Sequence, residues 1–459
     1  MHRNVWVNLL YGALQAAASS LQQGAFFPLY ITQGLRLSDA DVGYLFSTSG
    51  LVMVVLALPL GLLTDLMSRQ RILVAGTIAG LLTSALQAAA LQLQSVPLLY
   101  VAAALGGATT AITGPSLAAV YADSIPTGSR TALYTLQYSA TLAFGTLGPC
   151  SAVLFFYLFG DQWSLQALTI VMQSGNVLAF CSFLLLLLIR DDKTLGAESE
   201  GVLGKQEEEK QQQQQQQGSA EPAINSAAAP LLGEKEEEGA EEEESASATL
   251  GLGHQTCRLC CCTLRVSHIP LLLFLSDAAI ALGAGATVAF FPLFFTDVFH
   301  TSPMALSAIF AAVPLLVAGA GLALVPLSKA VGRAWAATLA DAAGTAALFA
   351  LCLVHSKALA IATYLVRSAL MNASYSVQRG ILMDVVKKDR RGFWSSLENL
   401  TAATWAGSSL VGGLLVQRYS FQTVFFATAC LYSLGTALLA PIIVLTAGER
   451  VDGRKGSHK

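Results

Sequence analysis

Twelve runs of mostly apolar residues follow one another along the chain, at about 5–31, 42–63, 72–94, 97–121, 132–158, 165–189, 266–295, 304–327, 335–354, 358–386, 393–416 and 421–446. A bilayer core is about 30 Å thick, so a helix needs about 20 such residues to cross it. The runs have that length, and most connections between them are short. One is long: 190–265 holds Glu207–Glu209, seven glutamines from Gln211 to Gln217, Glu236–Glu238 and Glu241–Glu244. A segment of that composition cannot bury a core, so the reading is of a disordered cytosolic linker. The expected fold class is an all-α integral membrane protein of 12 transmembrane helices. Its parts are a six-helix half at 1–190, the linker at 191–265, a second six-helix half at 266–447 and a tail at 448–459.

The first run follows Arg3 as a signal peptide would, but it is longer than one and is interrupted by Gln15, Gln22 and Gln23. It also has a counterpart. Ala25-Phe26-Phe27-Pro28-Leu29 returns as Ala289-Phe290-Phe291-Pro292-Leu293, and Thr32 returns as Thr296, all 264 positions on. Asp123 and Arg130 return as Asp384 and Arg391, 261 positions on, with Glu398 opposite Gln137. The near-constant offset points to two parallel six-helix repeats.

Composition agrees. Residues of the hydrophobic class make up 54% of the 459 and charged ones 12%, about half the charged share of a soluble domain. This excludes a nucleic-acid-binding protein and an ordinary soluble enzyme. The net charge of −3 conceals a split: residues 190–265 hold 16 acidic against 7 basic residues, a local −9, so the remainder carries +6. With both termini in the cytosol, 21 of the 26 Lys/Arg fall on the cytosolic side and only Arg36, Lys357 and Arg418 outside, as the positive-inside rule requires.

The loop after the second run reads Gly61-Leu62-Leu63-Thr64-Asp65-Leu66-Met67-Ser68-Arg69-Gln70-Arg71. With the six-plus-six pattern, it resembles the cytoplasmic signature of the major facilitator superfamily, Gly61, Asp65 and Arg69 matching and Leu66, Ser68 and Gln70 departing from it. The second half keeps Gly332-Arg333, with Lys329 where Asp65 would be. The resemblance implies alternating access and a cytoplasmic latch of Gly61, Asp65, Arg69, Asp123 and Arg130, with Asp384 and Arg391 as the second-half equivalents. Loop-orienting charges are the alternative role.

Polar residues inside the runs mark a candidate pathway. Asn8, Tyr11, Gln15, Ser19 and Gln22 share one helical face, which either lines a cavity, with Gln15 foremost, or hydrogen-bonds neighbouring helices. Asp277 and Arg367 both reckon near the midplane and are expected to pair, as solute and proton groups or as a structural salt bridge. Asn372 and Tyr375 share a face with Arg379, and Arg379 is expected to meet Glu398. Cys257, Cys260, Cys261 and Cys262 cluster beside the membrane, suiting S-palmitoylation ahead of a zinc site. No resident cofactor, metal or ATPase motif emerges.

The expected function is secondary active transport of a small solute, with proton coupling through Asp277 or Glu398. The expected partners are the solute, protons and the bilayer, with no nucleic acid and a monomeric state. The rival reading is a non-transporting receptor or scaffold of the same fold that docks partners on the linker.

Overall fold

The computed structural model describes residues 3–66, 68–125, 130–190, 256–259, 262–386 and 391–446. The first half runs α1 (Arg3–Gln22), a short α2 (Phe26–Leu29), α3 (Asp39–Leu66), α4 (Arg69–Leu93), α5 (Val96–Asp123), α6 (Arg130–Phe159) and α7 (Leu165–Leu186). Two antiparallel strands follow, β1 (Thr256–Leu259) and β2 (Cys262–Arg265), with Thr256 opposite Arg265. The second half runs α8 (Ile269–Val288), a short α9 (Phe291–Leu293), α10 (Pro303–Val331), α11 (Arg333–Leu353), α12 (Lys357–Val385), α13 (Arg391–Arg418) and α14 (Phe421–Leu445). The strands fall inside the segment expected to lack regular structure. It returns to β-formers there, Thr256, Cys257, Leu259, Cys262, Thr263 and Leu264, which pair locally before α8 begins.

Among the described residues, nine helices are long and apolar enough to cross a membrane. α1, α12 and α13 have the length but carry the polar residues singled out above, such as Asn8 and Gln15 on α1 or Arg367 and Arg379 on α12. Helix ends have local causes. Ser164, Ser302 and Ser420 accept from the backbone N–H three residues on, capping α7, α10 and α14. Gly332, at φ 99°, turns the chain between α10 and α11 in a conformation that disfavours other residues.

The first apolar run is not one helix. It breaks after α1, resumes as α2 over Phe26–Leu29 and loosens into a π-helical stretch, Tyr30–Gly34. The second half repeats this with α9 and a π stretch over Phe294–Val298. Pro28 and Pro292, each lacking an N–H, sit in the short helices that follow the breaks, α2 and α9. Helix pairings recur as well. α1 packs on α6 and α7, α3 on α5, and α4 on α5 and α7; likewise α8 packs on α13 and α14, α10 on α12, and α11 on α12 and α14. The halves meet through α3 with α13, α6 with α10, and α2 with α9.

The apolar core is divided unevenly. At the end of the bundle far from the termini, one cluster joins both halves, including Phe26, Phe27, Tyr30, Phe156, Phe291, Phe294, Phe295 and Phe425. At the termini end the clusters are confined to single halves. Val266, Ile269, Ile381 and Ile442 belong to the second, and Val7, Leu73, Val120 and Phe183 to the first.

Candidate transport site between the halves

At the far end the halves approach closely because the contact surfaces lack side chains. A Cβ on Gly50 would lie 2.4 Å from Ala406 Cβ, and one on Gly43 would lie 2.5 Å from the Ser409 carbonyl oxygen. Ser409 Oγ donates to the Gly43 carbonyl at 3.3 Å, and Gln33 Nε2 donates to Asp297 Oδ1 at 3.4 Å. Trp163 Nε1 donates to the Thr301 carbonyl at 3.2 Å, and the Met304 N–H donates to Asp161 Oδ1 at 2.7 Å. Every one of these bonds joins the two halves at the far end. Beside the α3–α13 contact lies a cavity of about 340 Å³ lined by Tyr44, Ser47, Thr48 and Tyr100 of the first half and Gly407 and Leu410 of the second. Sequence patterning did not single out these residues, because hydroxyls spaced along an apolar run read as ordinary helix content.

α12 shows two different faces. Arg367, Ser374 and Gln378 are buried, whereas Asn372, Tyr375 and Arg379 are exposed. Exposed amide, phenol and guanidinium groups at membrane depth are costly against lipid. This stripe therefore belongs against water or a polar partner rather than lipid. Asn372 Nδ2 also donates to its own helix at the Ser368 carbonyl, 2.8 Å away. Arg379 and Asp277 both have interaction partners, and Asp277, on α8, is half-buried.

Arg367 is 4% exposed. Its guanidinium lies 5.1 Å from the Phe291 ring centre and 5.3 Å from that of Tyr432, and Nη2 donates to Tyr432 Oη. Tyr432, rather than the Asp277 carboxylate, is the acceptor that this bond gives Arg367. Two faces of aromatic charge hold the cation where a carboxylate was anticipated. The sequence contained that signal in Phe291 and Tyr432, but only the packing of α12 against α9 and α14 reveals it.

The polar stripe of α1 is occupied in bonds between helices. Gln15 Oε1 accepts from Ser182 Oγ on α7 at 2.7 Å, and Gln22 Nε2 donates to Asn176 Oδ1 on the same helix at 2.6 Å. Asn8 Nδ2 donates to the Leu117 carbonyl on α5, and Asn8 Oδ1 accepts from Gln137 on α6 at 2.9 Å. Of the expected latch, Arg69 opens α4 half-buried with an interaction partner. Gly61, Asp65, Asp123, Arg130, Asp384, Arg391 and Glu398 lie on helices by their backbone, and their side chains fall outside the described residues, as do those of Cys257 and Cys262. Cys260 and Cys261 lie outside the described residues altogether.

Comparison with known proteins bears on this geometry. The family model described as Major Facilitator Superfamily matches residues 9–232. Over those residues, just under half of the chain, the sequence resembles the major facilitator superfamily. A D-xylose–proton symporter superimposes with a TM-score of 0.65 at 12% identity, over 97% of this chain and 99% of that one. A bacterial homologue of the iron transporter ferroportin, in an inward-facing state, gives 0.62 at 12% identity over 95% and 98%. The nucleoside transporter NupG, as its D323A mutant, gives 0.61 at 12% identity over 95% and 99%. At these identities the likeness is one of fold. No match was found among curated proteins. The match to that family model and the apolar helices support an integral, multi-pass membrane protein.

Proposed function

We propose that the chain is a secondary active transporter that moves a small solute by alternating access. In this reading all twelve long helices cross the bilayer as two parallel six-helix repeats, with both termini cytosolic. The molecule is then closed to the outside and open to the cytosol. One observation carries the reading: among the described residues, the apolar cluster uniting the halves and the bonds named above between them lie at one end, while α12 exposes a polar face further toward the other. Two halves sealed at one end only are what a rocking carrier needs.

The solute meets the wall formed by Asn372, Tyr375 and Arg379, where Arg379 offers a planar fork for an anionic or hydroxylated group. Proton coupling rests on an acidic residue within the bundle, with Asp277 and Glu398 the candidates on the cavity side. Asp65 and Arg69 act as the cytosolic latch in the opposite state.

The test uses Gln33→Cys with Asp297→Cys in a chain whose exposed Cys150, Cys181 and Cys430 are replaced by serine. Vesicles holding this protein are offered a metabolite mixture, and uptake is read by mass spectrometry. At least one solute is expected to accumulate, to stop accumulating when a short bis-methanethiosulfonate reagent bridges the pair with release of sulfinate, and to resume when a reducing thiol cleaves the bridge. Equal uptake with the bridge intact would refute alternating access.

A further inference from the structure

The interior of the second half contains polar groups that the cavity does not use. Asp341 on α11 is fully buried. Its Oδ2 accepts from Gln378 Nε2 on α12 at 2.7 Å, and Ser374 lies within bonding reach. Its Oδ1 has no partner among the described residues, nor has Gln378 Oε1. Thr345 Oγ1, one turn along α11, and Thr436 Oγ1, one turn along α14 from Tyr432, are buried and unpartnered as well. So is Arg367 Nε. Five of the seven such atoms among the described residues thus lie on α11, α12 and α14.

These groups form a column. Arg367 and Gln378 are eleven residues apart on the buried face of α12, about 16 Å along the axis. Asp341 joins the column at Gln378, and Tyr432 joins it at Arg367 while lying within electrostatic range of Asp341. The charged and titratable groups facing Asp341 from the packed helices are therefore Tyr432 on α14 and, beyond it, Arg367 on α12. Among the described residues no cation touches the carboxylate. An ionised carboxylate at this depth, with an amide and a hydroxyl for company, would cost several kcal/mol. A neutral acid removes that cost and supplies an O–H donor on the oxygen that lacks a partner. Buried hydroxyls without protein partners are commonly satisfied by ordered water.

We propose that Asp341 holds a proton on Oδ1 and that water bridges the column from Asp341 to Arg367, making the inside of the second half a proton-storing site separate from the cavity between the halves. The proton leaves as the carboxylic acid O–H bond breaks, passes to water of the cytosolic opening near Gln378, and leaves a carboxylate bonded to the amide. The site rests on the transporter reading only in adding Asp341 to Asp277 and Glu398 as a coupling candidate; the protonation itself stands without any solute movement.

Infrared spectra of the full chain in lipid vesicles, recorded in H2O and D2O near neutral pH, test this. A protonated-carboxyl C=O band is expected that shifts in D2O, vanishes in Asp341→Asn and persists in Asp277→Asn. In Gln378→Leu, which deletes the amide donor, the band should move to higher frequency. A wild-type spectrum without the band, or a band that survives Asp341→Asn, overturns the proposal. Should Asp341→Asn fail to fold, an unmoved band in Gln378→Leu overturns it equally. Absence of solute uptake would sink the transport reading and leave this band in place.

Discussion

Arg367 shows how a charge is tolerated in the bilayer interior. Two aromatic faces and the Tyr432 hydroxyl take the place of an acidic partner. Arg367→Ala would leave Tyr432 Oη buried without this partner and open a void between two rings. A loss of about 1–3 kcal/mol is expected from the hydroxyl alone, read as a lower thermal unfolding temperature in detergent. Lost transport at unchanged stability would instead place Arg367 in contact with solute. From sequence, Arg367 stood out because an arginine inside an apolar run is rare. Its partner was illegible, because Tyr432 lies 65 positions away on a helix whose rotation the pattern leaves open. Asp341 and Gln378 were hidden likewise: they lie 37 positions apart in different runs, and only the pairing of α11 with α12 brings them together. The α1 stripe could be recognised as one face, but whether that face met water or a neighbour depended on Ser182 and Asn176 of α7.

At the level of elements, the boundaries of the apolar runs located the helices well, since length and apolarity are local properties. The breaks within the first and seventh runs were missed, because Ala-Phe-Phe-Pro-Leu is as apolar as what surrounds it and one proline does not by itself end a helix. The α3–α13 contact leads to a sharper expectation. Gly50 has room for no side chain against Ala406. Gly50→Leu should wedge the far end apart without disturbing packing inside either half. The consequence is a several-fold gain in labelling of a cysteine placed at Ser47 by a membrane-impermeant thiol reagent, applied from outside to the cysteine-replaced chain. Unchanged labelling would mean that this contact is not the closure. Gly319, which faces open space, serves as the control, with Gly319→Leu expected to leave labelling as it was.

For the whole molecule, the recurrence of Ala-Phe-Phe-Pro-Leu and of the Asp/Arg pair at near-equal offsets was directly legible, because register kept over a hundred positions is hard to obtain by accident. Which contacts join the halves was not legible at all, because the pattern leaves the rotation of each helix open. The rival scaffold reading is decided at this scale too. Removing residues 195–250 should leave vesicle uptake within about twofold of the full chain if the segment is a tether, as a flexible connection of altered length changes closure entropy only slightly. Loss of function with normal insertion would favour a docking role.

The paired π stretches, Tyr30–Gly34 and Phe294–Val298, have a consequence of their own. A π turn spends more residues per revolution than an α turn, so each stretch keeps slack in the chain beside the aromatic seal. If the far ends part, each segment can rewind and lengthen locally without dragging its neighbours, leaving the flanking helices to swing as rigid levers.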